Sequence, residues 1–211
     1  MPMDTLLHYD CELFYAINHG LHHPWLTPLM WLFTGLGLGW VQLLIVLGAT
    51  LVAQARACQQ GVRFTPWRTT FVPALVAFAS SGLTVQLLKR AVPRLRPSNL
   101  PGALVAPDEQ LFHNSFPSGH TATAFALAFW LFMQVRGTRY RFWGYGALLV
   151  AGLVGLSRIY RGLHYPSDVL VGALIGVLWG AIAYFTLSVR CAVPPPAPES
   201  PPDSASASPR G

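Results

Sequence analysis

The chain has 211 residues, of which 10% are charged and 53% hydrophobic, with a formal net charge of +6. That length holds one domain, and long stretches with no ionisable side chain exclude an ordinary soluble protein, which rarely repeats such blocks along its whole length. The basic residues fall in short segments between apolar blocks, without the aromatic and basic stripe of a nucleic-acid surface, so no nucleic-acid partner is expected.

At the N-terminus, Asp4, Asp10 and Glu12 stand where a cleavable signal peptide carries basic residues, so the first membrane helix is expected to act as the targeting signal. Within residues 1–23, Leu6, Leu13, Ile17 and Leu21 recur at seven and then four residues. This amphipathic pattern fits either an interfacial helix or the start of a first membrane helix, and His22, His23 and Pro24 end it. Apolar blocks follow from Leu26 to Ala53, broken by Gly35, Gly37 and Gly39, then from Phe71 to Leu88, Thr121 to Val135, Phe142 to Leu156 and Val169 to Val189.

Crossing a bilayer takes about 20 mostly apolar helical residues, and several of these blocks reach that with their polar ends included. The expected fold is all-α: a polytopic transmembrane bundle over residues 24–191 with about six spanning helices, the first either spanning or interfacial. Residues 192–211, rich in Pro, Ser and Ala, read as a disordered tail. Cys11, Cys58 and Cys191 have no metal or redox spacing. Gly172, Gly176 and Gly180 give the last helix a smooth face, for packing within the bundle in preference to a dimer interface. The seven tryptophans fall mostly near helix ends, where interfacial anchoring is expected.

If the helices alternate, Arg56, Arg63, Arg68, Arg136, Arg139, Arg141 and Arg190 share one face. The positive-inside rule makes that face cytoplasmic. Lys89, Arg90, Arg94, Arg96, Arg158 and Arg161 fall on the other, together with three motifs: Lys89-x6-Arg96-Pro97, Pro117-Ser118-Gly119-His120 and Ser157-Arg158-x5-His164-x3-Asp168. Ionisable groups at membrane depth are costly and usually functional. Arg96 and Arg158 offer planar forks for phosphate oxygens and Lys89 a compact charge. Ser118 is placed to cap the helix that follows, and the amides of Gly119 and His120 then form an anion-binding N-terminus. Asp168 lies four residues after His164 and can hold one ring nitrogen, leaving the other free to attack. A zinc site of His120, His164 and Asp168 is the metal alternative, without an HExxH or cysteine-rich pattern to support it.

All three motifs, in this order and with no position missing between Lys89 and Asp168, resemble the signature of the type 2 phosphatidic acid phosphatase family, relatives of the vanadium-dependent haloperoxidases. The resemblance implies a lipid phosphatase in the bacterial inner membrane, with no cofactor, no metal and a membrane-lipid substrate. His164 would form a phosphohistidine, Asp168 would orient it and His120 would protonate the leaving group. Lys89, Arg96, Arg158 and the Ser118/Gly119 turn would hold the phosphoryl oxygens. An undecaprenyl diphosphate phosphatase is the expected member, with phosphatidylglycerophosphate or phosphatidate phosphatase and a lipid phosphotransferase as alternatives. The site is expected to face the periplasm or exterior.

Overall fold

The structure, a computed structural model, describes residues 3–61, 65–109 and 111–188. Among these it has seven α-helices: α1 (Met3–Gly20), α2 (Leu26–Leu36), α3 (Gly39–Gln59), α4 (Val72–Ala91), α5 (Gly119–Val135), α6 (Arg141–Tyr160) and α7 (Pro166–Leu187). A single π-helical turn, Trp67–Phe71, leads into α4. Arg63, Arg190, Cys191 and the expected tail at 192–211 lie outside the described residues.

Four segments are long and apolar enough to cross a bilayer: α3, α4 with its preceding turn, α6 and α7. The 17-residue α5 is packed between α4, α6 and α7. At about 1.5 Å per residue it covers about 25 Å, near the lower limit for a span. The eleven residues of α2 cover only about 16 Å, roughly half a hydrocarbon core of about 30 Å. Its Thr27 Oγ1 meets Tyr160 Oη at 2.8 Å and its Thr34 Oγ1 meets Ser157 Oγ at 2.8 Å, so α2 runs down the outer part of α6. The chain then breaks where the glycines predict it. A Cβ at Gly37 would lie 2.7 Å from Val154 Cγ1 and 2.9 Å from His120 Cδ2, and α3 continues toward the N-terminal end of α4. The break separates the short α2 from α3, which alone is long enough to cross.

Close packing of α5 and α7 brings two motif-bearing helix ends together. Cβ atoms at Gly172, Gly176 and Gly180 would sit 2.6, 2.3 and 2.6 Å from the carbonyl oxygens of Ser118, Ala122 and Ala126. The glycine face therefore packs inside the bundle. Trp25, Trp31, Trp40 and Trp143 are well exposed, as anchors should be, whereas Trp130 is buried in the core beside Ala74, Ala77, Ala126 and Ala183.

α1 differs from the amphipathic expectation. Leu13 and Leu21 point outward, while Asp10, Phe14 and Asn18, four residues apart, form the buried face. That face docks on the motif side of the bundle. Asn18 Nδ2 donates to the carbonyls of Leu104 and Tyr160, Asn18 Oδ1 accepts from Leu104 N–H at 2.9 Å, and Tyr15 Oη donates to Pro101 O at 2.7 Å. The docked face is mixed: Phe14 packs with Ile159 and Tyr165, with Cys11, Tyr15 and Ile17 against them, while Asp10 and Asn18 supply the polar contacts.

Candidate active site

The ends of α4 and α6 and the starts of α5 and α7 converge, and residues 92–109 and 111–118 lie against them. Pro166 opens α7 at a position where its missing N–H costs nothing, and Asp168 Oδ2 accepts the Tyr165 N–H at 2.9 Å. Asp168 is fully buried. Its Oδ1 pairs with Arg94 Nη1 at 2.6 Å, and Oδ2 also accepts from Ser115 Oγ. Its carbonyl accepts from Ser118 N–H at 3.0 Å, tying α7 to the start of α5.

His164 lies in the short connection between α6 and α7, 2% exposed. Its Nδ1 stands 3.5 Å from Asp168 Oδ2, an ion-pair separation too long and poorly directed for a formed hydrogen bond. Its Nε2 lies 3.3 Å from Arg96 Nη1. A guanidinium can only donate and a carboxylate only accepts, so these partners favour the proton on Nδ1 and leave the lone pair on Nε2. Burial pushes the imidazole pKa from 6.5 down to about 3; the approach to Asp168 opposes this, and Arg96 and Arg158 add to it. The ring is therefore neutral at physiological pH, as a nucleophile must be.

This shift predicts acid sensitivity. In the unfolded chain the imidazole binds its proton near pH 6.5, in the folded chain only near 3, so its contribution is fully present above about pH 6.5 and is lost as pH falls toward 3. The melting temperature in detergent should fall between pH 7 and pH 4.5, and His164→Gln should reduce that fall.

The three clamp cations meet at the same place but are already partnered. Lys89 Nζ donates to the carbonyls of Asn114 and Ser115. Arg96 donates to His113 O at 2.8 Å through Nε, to Leu163 O at 3.0 Å through Nη1 and to Asn114 O at 3.4 Å through Nη2. Loop 113–115 thus aims both cations, and His113 contributes its carbonyl while its side chain is exposed. Arg158, 2% exposed, gives Nη1 to both oxygens of Glu109, at 2.8 and 3.2 Å, and keeps Nε buried with no partner. Glu109 thus takes part of the fork assigned to phosphate. Glu109→Gln should tighten inhibition by inorganic phosphate about tenfold, roughly 1.4 kcal/mol, in an inhibition assay.

Ser118 occupies the N-cap position of α5 as expected, but its hydroxyl bonds Thr121 Oγ1 at 2.8 Å and caps no amide. Gly119 opens the helix. A Cβ there would meet only Val85 Cγ1 at 3.6 Å, so packing does not require glycine. His120 follows, with Nε2 buried and unpartnered. Three of the buried polar atoms without a partner, His120 Nε2, His164 Nδ1 and Arg158 Nε, belong to motif residues. Among the described residues no group of three His, Cys, Asp or Glu side chains is placed to hold a metal ion, the trio His120, His164 and Asp168 included.

Sequence reasoning missed several neighbours. Arg94 Nη2 pairs with Asp10 Oδ2 at 2.6 Å while Nη1 holds Asp168, and its guanidinium stacks 4.1 Å from the Tyr165 ring centroid. Asp10 also accepts from Ser167 N–H at 3.0 Å and from Ser167 Oγ. Arg161 binds Asp108 through Nη2 at 2.7 Å to each oxygen. Arg94 falls on the motif face and inside the first motif, two residues before Arg96, but nothing in that spacing names its partners.

Known proteins carry the same stretch. The chain is 37% identical to a lipid A 1-phosphatase of Porphyromonas gingivalis over 58% of this chain and 25% of that protein. It is 36% identical to the decaprenylphosphoryl-5-phosphoribose phosphatase of Mycobacterium tuberculosis over 69% of this chain and 70% of that protein. The crystal structure of Aquifex aeolicus LpxE superposes with a TM-score of 0.62 at 33% identity, covering 82% of this chain and 92% of that one. The chain spans between a quarter and three fifths of the length of the first curated relatives it matches. The model of the PAP2 superfamily matches residues 70–190, from the turn before α4 through the end of α7 and so across all three motifs: the chain belongs to that superfamily.

Proposed function

We propose that the protein is an integral membrane lipid-phosphate phosphatase acting through a phosphohistidine on His164. The observation that carries this reading is the fixed imidazole, neutral, with Nδ1 toward Asp168 and Nε2 toward Arg96. In the first step Nε2 attacks phosphorus, the bond to the leaving oxygen breaks, and His120, which takes up a proton when the anionic phosphate binds beside it, gives that oxygen the proton. Asp168 balances the charge that grows on the imidazole. In the second step water attacks the phosphohistidine, His120 takes a proton from it, and phosphate leaves with His164 restored. Lys89, Arg96, Arg158 and the Ser118/Gly119 turn hold the equatorial oxygens, whose charge the site stabilises; positioning and electrostatics dominate phosphoryl transfer.

The substrate is amphiphilic, because the site lies at the outer ends of membrane helices. Undecaprenyl diphosphate is the reading we favour, supported by the relative whose name carries a decaprenylphosphoryl group. Phosphatidylglycerophosphate and phosphatidate are the competing substrates, and a second lipid in place of water would make the enzyme a phosphotransferase. The Arg56, Arg68, Arg136, Arg139 and Arg141 face is assigned to the cytoplasm and the site to the periplasmic side of a bacterial inner membrane.

Purified protein given each of the three lipids with labelled phosphate should release label to water, fastest from undecaprenyl diphosphate. Acid quenching should trap label on the wild type and none on His164→Ala. Full turnover by that variant would refute the nucleophile, and label recovered on an added lipid would identify a transferase.

A further inference from the structure

A second guanidinium stands beside the phosphate clamp and belongs to none of the motif positions. Arg158 lies in the last turn of α6 and Arg161 caps that helix three residues on, so the two side chains are neighbours. Arg161 is only 6% exposed, yet its carboxylate partners lie further out: Glu109 is 22% exposed and Asp108 51%. A single oxygen, Glu109 Oε2, touches both guanidiniums, 2.8 Å from Arg158 Nη1 and 3.4 Å from Arg161 Nε. Asp108 takes the remaining edge of Arg161 with both oxygens at 2.7 Å from Nη2. Arg158 Nε stays buried without a partner, so that guanidinium keeps a donor for a further oxygen.

The two carboxylates sit on a turn that is anchored at its base. Ala106 N–H donates to Arg161 O at 3.2 Å, Glu109 N–H donates to Ala106 O at 3.2 Å, and Asn18 of α1 holds Leu104 just before them. Buried cations must be paired, but a pair whose acid is half exposed holds weakly and gives way to a stronger anion. Charge decides which anion can replace both acids. A phosphomonoester on the motif cations answers Arg158 and leaves Arg161 with Asp108. A diphosphate brings a second phosphoryl group through one bridging oxygen, the same connection that Glu109 Oε2 makes between the two guanidiniums. Depth gives the order of the two groups: the His164 amide donates to Arg158 O at 3.3 Å, beside the nucleophile, while Arg161 opens toward the exposed Asp108.

We propose that Arg161, with Arg158, forms a second phosphate subsite that holds the lipid-proximal phosphate of a diphosphate, and that Glu109 and Asp108 are the built-in anions this phosphate displaces. The proposal rests on the lipid-phosphatase reading and adds to it a residue that separates diphosphate from monophosphate substrates. When His164 Nε2 bonds to the terminal phosphorus, the bond from that phosphorus to the bridging oxygen breaks and the electron pair stays on the oxygen. The leaving group is then a lipid monophosphate, whose charge lies between Arg158 and Arg161. Planar forks suit its paired oxygens, and burial strengthens their hold.

The readout is a ratio, kcat/KM for geranylgeranyl diphosphate over kcat/KM for geranylgeranyl monophosphate, which cancels any loss common to both. Arg161→Gln should lower it about tenfold or more, the scale of a lost hydrogen bond to a charged group. Arg161→Lys keeps the charge without the fork, so its ratio should fall between, and it stands in if the glutamine variant folds poorly. Asp108→Asn frees Arg161 and should raise the ratio about threefold, the scale of a weak exposed pair. An ion pair that serves stability alone would not move the ratio in opposite directions. A ratio unchanged by both Arg161 variants, or lowered by Asp108→Asn, would overturn the subsite. Binding tests it without turnover: methylenediphosphonate, which cannot be hydrolysed, should raise the melting temperature in detergent more than inorganic phosphate does, and Arg161→Gln should remove the difference. Equal shifts from the two anions in the wild type would also overturn it. A difference that depends on Arg161 in a protein that hydrolyses neither lipid would uphold the subsite and refute the phosphatase reading instead.

Discussion

Asp168→Asn is expected to lower kcat about a thousand- to ten-thousand-fold while the protein still binds inorganic phosphate. The size follows from what the carboxylate does for a neighbouring imidazole: it fixes the tautomer and stabilises the charge that grows on it, and in a well-measured hydrolase triad the same change costs about 10⁴. Here Asp168 accepts from Arg94, Ser115 and the Tyr165 amide, and faces His164 Nδ1. Three donors around one carboxylate fix its oxygens. An asparagine that keeps its oxygen on Arg94 puts its NH2 in the place of Oδ2, toward Nδ1 and against the Ser115 hydroxyl and the Tyr165 amide, so that Nδ1 accepts and the proton moves to Nε2, where it blocks attack. The phosphohistidine should then fail to accumulate in an acid quench, whereas phosphate affinity, set by Lys89, Arg96 and Arg158, should hold. A drop in phosphate affinity matching the drop in kcat would show that Asp168 maintains the clamp and not the imidazole.

On the proposed function, the same network ties α1 to the carboxylate that faces His164, a link that no motif announces. Arg94 joins Asp168 to Asp10, and Asp10 receives the Ser167 amide and hydroxyl from the first turn of α7. Breaking one partner of a buried pair costs about 3–5 kcal/mol, because the other charge stays buried and alone. Asp10→Asn keeps the shape and one of the two acceptor oxygens, so its cost should fall mainly on kcat, about tenfold, with KM unchanged. A steady-state comparison of the two constants checks this.

How much could be read without coordinates follows from which forces leave a local trace. The helix blocks are legible because hydrophobicity is a property of consecutive residues, and the motif residues because their spacing survives in the chain. Lys89, Arg96, His120, Arg158, His164 and Asp168 all reach one end of the bundle once the helices alternate. Asp10 and Asn18 were illegible for a physical reason. Periodicity analysis takes a polar residue on a helix to be exposed, but Asp10 and Asn18 share the docked face with Phe14 because their partners, Arg94, Ser167, Leu104 and Tyr160, are supplied by distant parts of the chain. Glu109 and Ser115 were illegible because their partners lie 49 and 53 residues away and nothing in a loop's composition names a distant partner. The half-length α2 was foreshadowed by its glycines, although the eleven-residue count needed the contacts of Thr27 and Thr34 with α6.

Gly176→Ala should be the most damaging single methyl group in the bundle. The added carbon would sit 2.3 Å from Ala122 O, 2.7 Å from Phe125 Cβ and 2.8 Å from Ala126 N, and none of these atoms belongs to the far end of a flexible side chain. Only a movement of α5 away from α7 can relieve it. Overpacking of this kind costs about 1–3 kcal/mol and occasionally more, which should appear as a lower melting temperature in detergent. The functional loss should be larger than the stability loss. α5 carries His120 and α7 carries Asp168, held in register by the Ser118 amide on the Asp168 carbonyl, and a displacement of about 1 Å in a reacting constellation can cost about 10²-fold. Gly119→Ala, at the head of α5, has room at 3.6 Å and should keep the wild-type melting temperature. If the glycine face instead served a dimer, Gly176→Ala would change the oligomeric state and spare the turnover of the isolated subunit. Size-exclusion chromatography beside the activity assay separates the two, because helix separation inside one bundle must lower turnover at every protein concentration.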